Sequence, residues 1–232
     1  MLELLGPGLW VADGGTVSFF GFDYPTRMAV VRLDEGGLWV WSPIALTPEL
    51  EEEVRTLGPV RHLVSPNKLH HLFLAAWKSA FPDAKLWGTA STIARFPGLH
   101  FDGALAGDPP PDWAGQIDQY HFTNSRFLDE VVFFHRKSRT AIIADLSQPL
   151  GESFLKRHWP WWLRWIARRV GMVEGKGYGP IELRLTFRNR AEARAKVLAL
   201  IGEGPERVVV AHGEIVRSGG AAWLRRAFAW LL

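Results

Sequence analysis

Three short apolar runs constrain this chain most: Val60–Val64, Thr140–Ala144 and Arg207–Ala211. Each reads as a buried strand, and each leads into side chains able to do chemistry. The first turns through Ser65-Pro66-Asn67-Lys68 to the adjacent His70 and His71, the second runs into Asp145, and the third into His212. Polar side chains at the C-terminal end of a buried strand, ahead of a helix, are where α/β proteins build their sites. The three strand ends are therefore expected to converge.

The rest of the chain supplies the frame. Leu9–Ala12, Thr16–Phe20, Met28–Leu33 and Leu38–Trp41 are β-branched and aromatic runs, separated at Asp13-Gly14-Gly15 and Glu35-Gly36-Gly37 by turn residues. They read as an antiparallel meander. Thr47 then suits a helix N-cap, Pro48 the first turn, and Glu49, Glu51 and Glu52 the positive end of the dipole; Gly58-Pro59 ends that helix. Strand and helix alternate from there, with helices over 69–80 and 89–95 and a short strand at 85–87. Strands follow at Ile117–Phe122, Glu130–His135 and Thr140–Ala144. A helical stretch from Glu152 to Val170 is split or kinked at Pro160, Asn189 caps a helix over 190–201, and a last helix covers 220–232. Two βα halves, each a sheet with helices on its outer face, are buried most simply as an αββα sandwich. The chain is expected to be one domain over 1–232.

Composition excludes several classes. A chain of 232 residues can bury a sizeable core. The absence of cysteine excludes disulfides and thiolate metal sites. A net charge of +3 gives no support for nucleic acid. No signal peptide and no apolar run of spanning length stand out, so a cytoplasmic protein is expected. No phosphate loop, Gly-x-Gly-x-x-Gly or Gly-x-Ser-x-Gly is present. The twelve tryptophans read first as core filling and second as the lining of a cleft or a partner surface.

The strand–turn–helix with its polar cluster, the later strand ending in Asp145 and the last strand ending in His212-Gly213 resemble the metallo-β-lactamase-like hydrolases. The resemblance covers nearly the whole chain and implies the four-layer αββα fold. It also looks like an uncharacterised branch of that superfamily, of unknown function. The family's His-x-His-x-Asp-His cluster falls on Pro66, Lys68, His70 and His71. Its bridging aspartate falls on Asp145 and its last histidine on His212. Its Gly-His turn has no histidine within 122–126, although His121 lies close. The first metal site has thus lost its ligands, and two-metal hydrolysis of the familiar kind is not expected.

Two readings of the site follow. In one, the cleft is a metal-free relic that binds a small molecule: Lys68 replaces the lost ion and pairs with Asp145, and His121 is a further cleft residue. In the other, His70, His71, Asp145 and His212 hold one zinc, iron or manganese ion and the protein is a metal-dependent hydrolase. Neighbouring residues at a helix start point in different directions, a difficulty for any site using both His70 and His71. The stretch 154–170, rich in Trp and Arg, reads first as an outer-layer helix packed on the sheet. Second, it reads as a membrane-surface or partner-binding element. The Trp-rich surfaces also suit self-association.

Overall fold

Alternation along the strands decides which residue faces which layer. In the strands Phe22–Arg32 and Leu38–Trp41, Ala29, Val31, Trp39 and Trp41 belong to one apolar cluster, while Met28, Val30, Leu38 and Val40 belong to another. Side chains a residue apart point to opposite faces of a sheet, so both faces of these strands are buried. The computed structural model describes residues 1–19 and 21–232. Its first sheet has the order β1-β2-β3-β4-β5-β6-β7, from Glu3–Gly6, Leu9–Phe19, Phe22–Arg32, Leu38–Trp41, Val60–Ser65, Lys85–Gly88 and Gly103–Ala104. The meander β1 to β4 is antiparallel; β4, β5, β6 and β7 run parallel. Helices α1 (Pro48–Leu57) and α2 (Leu74–Ala80) cover its outer face through Leu50, Val54, Leu74 and Trp77. The short α3 spans Ala90–Arg95.

The second sheet has the order β11-β10-β9-β8, from Arg207–Val210, Thr140–Ile143, Glu130–His135 and Ile117–Phe122. Val131, Phe133, Ile142, Ala144 and Val209 meet the inner face of the first sheet in one shared cluster. Val132, Phe134, Ile143 and Val210 face outward onto α6 (Ile181–Thr186), α7 (Arg190–Gly202) and α8 (Gly220–Ala227). The layers are therefore helices, sheet, sheet, helices. Between the sheets, Trp39 stacks edge-on with Phe133 at 5.0 Å and with Trp113 at 6.2 Å, both centroid distances. Helices α4 (Glu152–His158) and α5 (Trp161–Val170), with Trp159 between them, bury Leu155, Trp159 and Ala167 in a satellite cluster with Phe22 and Tyr24 of β3.

Local signals held in most places. Thr47 caps α1, its hydroxyl accepting the Leu50 N–H, and Pro160 separates α4 from α5. Three readings change. Asp13-Gly14-Gly15 is not a turn: β2 continues through it, with a shift of register between Asp13 and Thr16. Asn189 stands at the start of α7 but makes no capping bond; in the left-handed region (φ 44°), its amide goes to Glu192 at 2.6 Å instead. The helix expected from 69 begins at Leu74, because residues 68–73 form turns that carry the histidines. Phe20, within the expected run 16–20, lies outside the described residues. No helix among the described residues is long and apolar enough to cross a membrane.

Candidate metal centre

The strand ends do converge. Ser42 follows β4, Asn67 and His70 follow β5, Asp145 follows β10 and His212 follows β11. Glu130 opens β9, which runs antiparallel to β10, so its side chain arrives at the same end. Asp145 is the hub. One of its oxygens lies 3.2 Å from His70 Nε2 and accepts the Asn67 amide at 2.8 Å. The other accepts the Gln148 amide at 2.9 Å and lies 3.5 Å from His212 Nε2. Ligand atoms of His70, Asp145 and His212 all fall within 4.8 Å of one another, the one such group of histidine and acidic side chains among the described residues.

Both imidazoles are fixed from behind. His212 Nδ1 lies 2.6 Å from the Pro25 carbonyl oxygen. A carbonyl only accepts, so Nδ1 carries the proton and the Nε2 of the neutral ring presents a lone pair. His70 Nδ1 meets the Ser42 hydroxyl at 2.7 Å. Ser42 holds a left-handed backbone (φ 50°), uncommon for a residue with a Cβ, and its N–H is tied to the Val64 carbonyl at 2.9 Å. The turn before His70 is closed by Ser65, whose hydroxyl donates to the Asn67 and His70 carbonyls, and by Asn67 Oδ1, which accepts the Leu69 N–H.

Charge follows from burial and partners. Burial alone would raise the Asp145 carboxyl, but His70, then His212 and Asn67, outweigh it and hold it well below the usual range. Glu130 goes the other way: burial and then the Asp145 charge push it up, while the N–H groups of Ala144, Asp145 and Leu146 pull it back. Burial is also the main cause that lowers His212, with Asp145 opposing it.

The four residues expected as ligands separate. His71 turns away: its ring stacks on Phe96 at 4.0 Å and its Nδ1 lies 3.1 Å from the Lys68 carbonyl. Lys68 does not pair with Asp145; its ammonium sits 5.9 Å from the Phe127 ring centre, and the Asn67 amide occupies the carboxylate. The closed turn is the reason, since it aims Asn67, one residue earlier, at the strand end. His121 lies outside the lining of the pocket, beside Asp129 at 3.7 Å. In the sequence Ser42 has no Gly-x-Ser-x-Gly context, Glu130 could line a site without its spacing demanding one, and Asn67 and Gln148 carry no role. Amide and hydroxyl side chains in such roles carry no spacing signal, and their neighbours become visible only once the strand ends are paired.

Above the triad lies a cavity of about 170 Å³. Leu69, Phe73, Phe127 and Leu183 form apolar walls, and Lys68 and Arg95 stand among its lining with no ion-pair partner among the described residues.

A family model described as "Domain of unknown function (DUF4336)" matches residues 10–153. The chain belongs to the DUF4336 family. The match takes in Ser42, Asn67, His70 and Asp145, while His212 lies beyond it. No curated protein matches in sequence. Solved structures do resemble it. A metallo-β-lactamase from Pontibacter korlensis is 14% identical, with a TM-score of 0.66 over 100% of this chain and 98% of that one. VMB-1 at pH 5.5 is 10% identical, with a TM-score of 0.67 over 100% and 95%. A metallo-β-lactamase from Erythrobacter litoralis is 14% identical, with a TM-score of 0.61 over 99% and 91%. Likeness at such identity establishes the fold: this DUF4336 chain is a metallo-β-lactamase-like αββα sandwich.

Proposed function

We propose that this protein holds one divalent metal ion through His70, Asp145 and His212 and hydrolyses a small amphipathic anion in the cavity above it. One observation carries the reading. His212 Nε2, made a lone pair by the Pro25 carbonyl, faces a carboxylate oxygen at 3.5 Å, with His70 Nε2 3.2 Å from the other oxygen. Two acceptors facing each other, the His212 lone pair and the Asp145 oxygen, call for a cation between them, and His70 joins as a third ligand when its Nδ1 carries the proton and donates to the Ser42 hydroxyl. Two imidazoles and a carboxylate suit zinc, iron or manganese and leave coordination positions open. Such an ion supplies Lewis acidity and lowers the pKa of water for hydrolysis. The chain's own residues do the rest: Ser42 and the Pro25 carbonyl orient the rings, Asn67 and Gln148 orient the carboxylate, and the apolar walls exclude water. Lys68 and Arg95 would take a negatively charged group of the substrate.

A single ion is the appropriate number. The resemblance puts the other site's histidines at Pro66, whose carbonyl accepts the Val131 N–H, and at Lys68. A second reading, a metal-free ligand-binding cleft, draws on the two amides that already satisfy Asp145. Metal analysis of untagged protein separates them. Near-stoichiometric metal that is lost in His70→Ala and His212→Ala and kept in His71→Ala supports the metal centre. Absence of metal after incubation with zinc, iron and manganese sinks it and leaves the binding cleft.

A further inference from the structure

We propose that the helix pair α4–α5 docks this protein onto an anionic lipid bilayer, an inference that stands apart from the metal centre. The outward side of α5 is aromatic. Trp161 is 73% exposed, Trp165 55%, Trp162 48% and Ile166 40%. Its inward side is complete without them: Ala167 is buried and Leu163 and Val170 are half-buried against Leu155, Trp159 and Met172. At 3.6 residues per turn, Trp161 and Trp165 project away from Leu163 and Ala167. A surface helix ordinarily carries polar side chains there, and a helix apolar on its solvent side has a further face to cover.

The charge around those indoles says what covers it. Between Glu152 and Glu174 the chain carries Lys156, Arg157, Arg164, Arg168 and Arg169 and no acidic residue, against a net charge of only +3 for all 232 residues. Glu152 pairs with Lys156 and Arg168. Arg157, Arg164 and Arg169 pair with no carboxylate among the described residues, and Arg169 lies 5.0 Å over the Trp165 ring. Indoles settle at the level of lipid headgroups and guanidinium groups bind their phosphates, so both halves of the surface are satisfied at once by an anionic membrane. A nucleic acid would use the arginines and leave the apolar side chains in water. A second copy of the chain would set cations against cations. The anchoring is firm: the Trp159 indole donates to the Asp23 carbonyl at 2.8 Å and packs edge-on to Tyr24 at 5.9 Å. Tyr24 in turn lies 5.6 Å from the His212 ring, so the docked surface sits two side chains from the candidate centre.

Flotation of the full chain with phosphatidylcholine vesicles, with and without phosphatidylglycerol, tests the proposal. The protein should float with the anionic vesicles at low salt, remain below with neutral ones, and be released by high salt. Trp161→Ser with Trp165→Ser should weaken partitioning roughly ten-fold or more. Arg157→Gln with Arg169→Gln should weaken it roughly five-fold per charge. These four side chains lie outside the clusters of buried apolar residues, so thermal midpoints should match the wild type. Failure of the wild type to float with anionic vesicles, or equal flotation of both variants, overturns the proposal. So does a dimer in solution that the tryptophan variant dissolves while no form of the protein floats.

Discussion

Glu130 holds Asp145 by its backbone: one carboxylate oxygen accepts the Asp145 N–H at 2.7 Å and the Leu146 N–H at 3.1 Å. The other oxygen accepts the Ala144 N–H at 2.9 Å, and the Asn67 amide reaches the first at 3.2 Å. One buried side chain thus fixes the bend at the end of β10 and joins it to the turn after β5.

All four partners are donors, which the ionised carboxylate meets at both oxygens, although burial and the Asp145 charge raise the carboxyl toward its protonated form. Glu130→Gln sets an amide N–H₂ against backbone N–H groups whichever way it is turned. It should cost about 1–3 kcal/mol of stability, read by urea denaturation. Unchanged stability would mean that the native carboxyl carries a proton and that the amide mimics it.

Ser42→Ala tests orientation. The hydroxyl is the partner of His70 Nδ1, and without it the ring is held only by Asp145 and the stacked Trp41 ring. Loss of such a supporting bond typically lowers metal affinity by about 10–100-fold. Zinc titration against a competing chelator measures it. Ser42→Gly separates two effects, because it removes the hydroxyl and also relieves the left-handed backbone. If glycine binds metal as the wild type does, the hydroxyl has no orienting role.

How much of this could be read from the chain depends on range. Ile117–Phe122 and Glu130–His135 were legible residue for residue, because alternation and turn residues are local signals. The joining of strand ends was legible too, since buried strands followed by Asp145 and His212 leave few other arrangements. Three things were not. Asp13-Gly14-Gly15 carries turn chemistry, but pairing with β3 draws it into a long strand. His70 and His71 are equivalent in sequence, and only the turn closed by Asn67 sends one to Asp145 and the other to Phe96. Nor does the sequence mark which indoles give up a hydrogen bond to packing: the N–H groups of Trp39, Trp41 and Trp113 are buried with no partner among the described residues.

Two histidines far from the triad set a pH dependence. Burial lowers His62 and His135 from their ordinary value to about 4 each. His62 Nδ1 accepts the Trp87 indole N–H at 3.2 Å, a bond that protonation would break. The unfolded chain binds these protons from about pH 6.5 downward and the folded chain only near 4. Stability contributed by the neutral rings is therefore fully present above the unfolded value and is lost as pH falls through that window. The slope should approach about 1.4 kcal/mol per pH unit for each histidine. Urea unfolding at a series of pH values checks this, and a flat profile between those limits would contradict it. His62→Gln should remove one histidine's share of the slope.

Gly213 tests whether the backbone beside His212 has any freedom. It has a φ of 135°, which L side chains rarely adopt, and a Cβ there would stand 2.1 Å from the Pro149 carbonyl oxygen and 2.5 Å from its carbon. Both obstacles are backbone atoms, so no side chain can rotate aside. The Pro149 carbonyl is itself held, accepting the Glu214 N–H at 3.1 Å, and the Gly213 carbonyl accepts Arg27 at 2.5 Å. Gly213→Ala must therefore move the segment that carries His212. It should cost at least about 2 kcal/mol and reduce bound metal together with stability. Gly202→Ala is the control: nothing lies within 4 Å of its Cβ position at the end of α7, and alanine there should be neutral or stabilising by up to about 1 kcal/mol. Thermal melts and metal content of the two variants, measured side by side, decide it. Wild-type values for Gly213→Ala would show that this turn yields without moving His212.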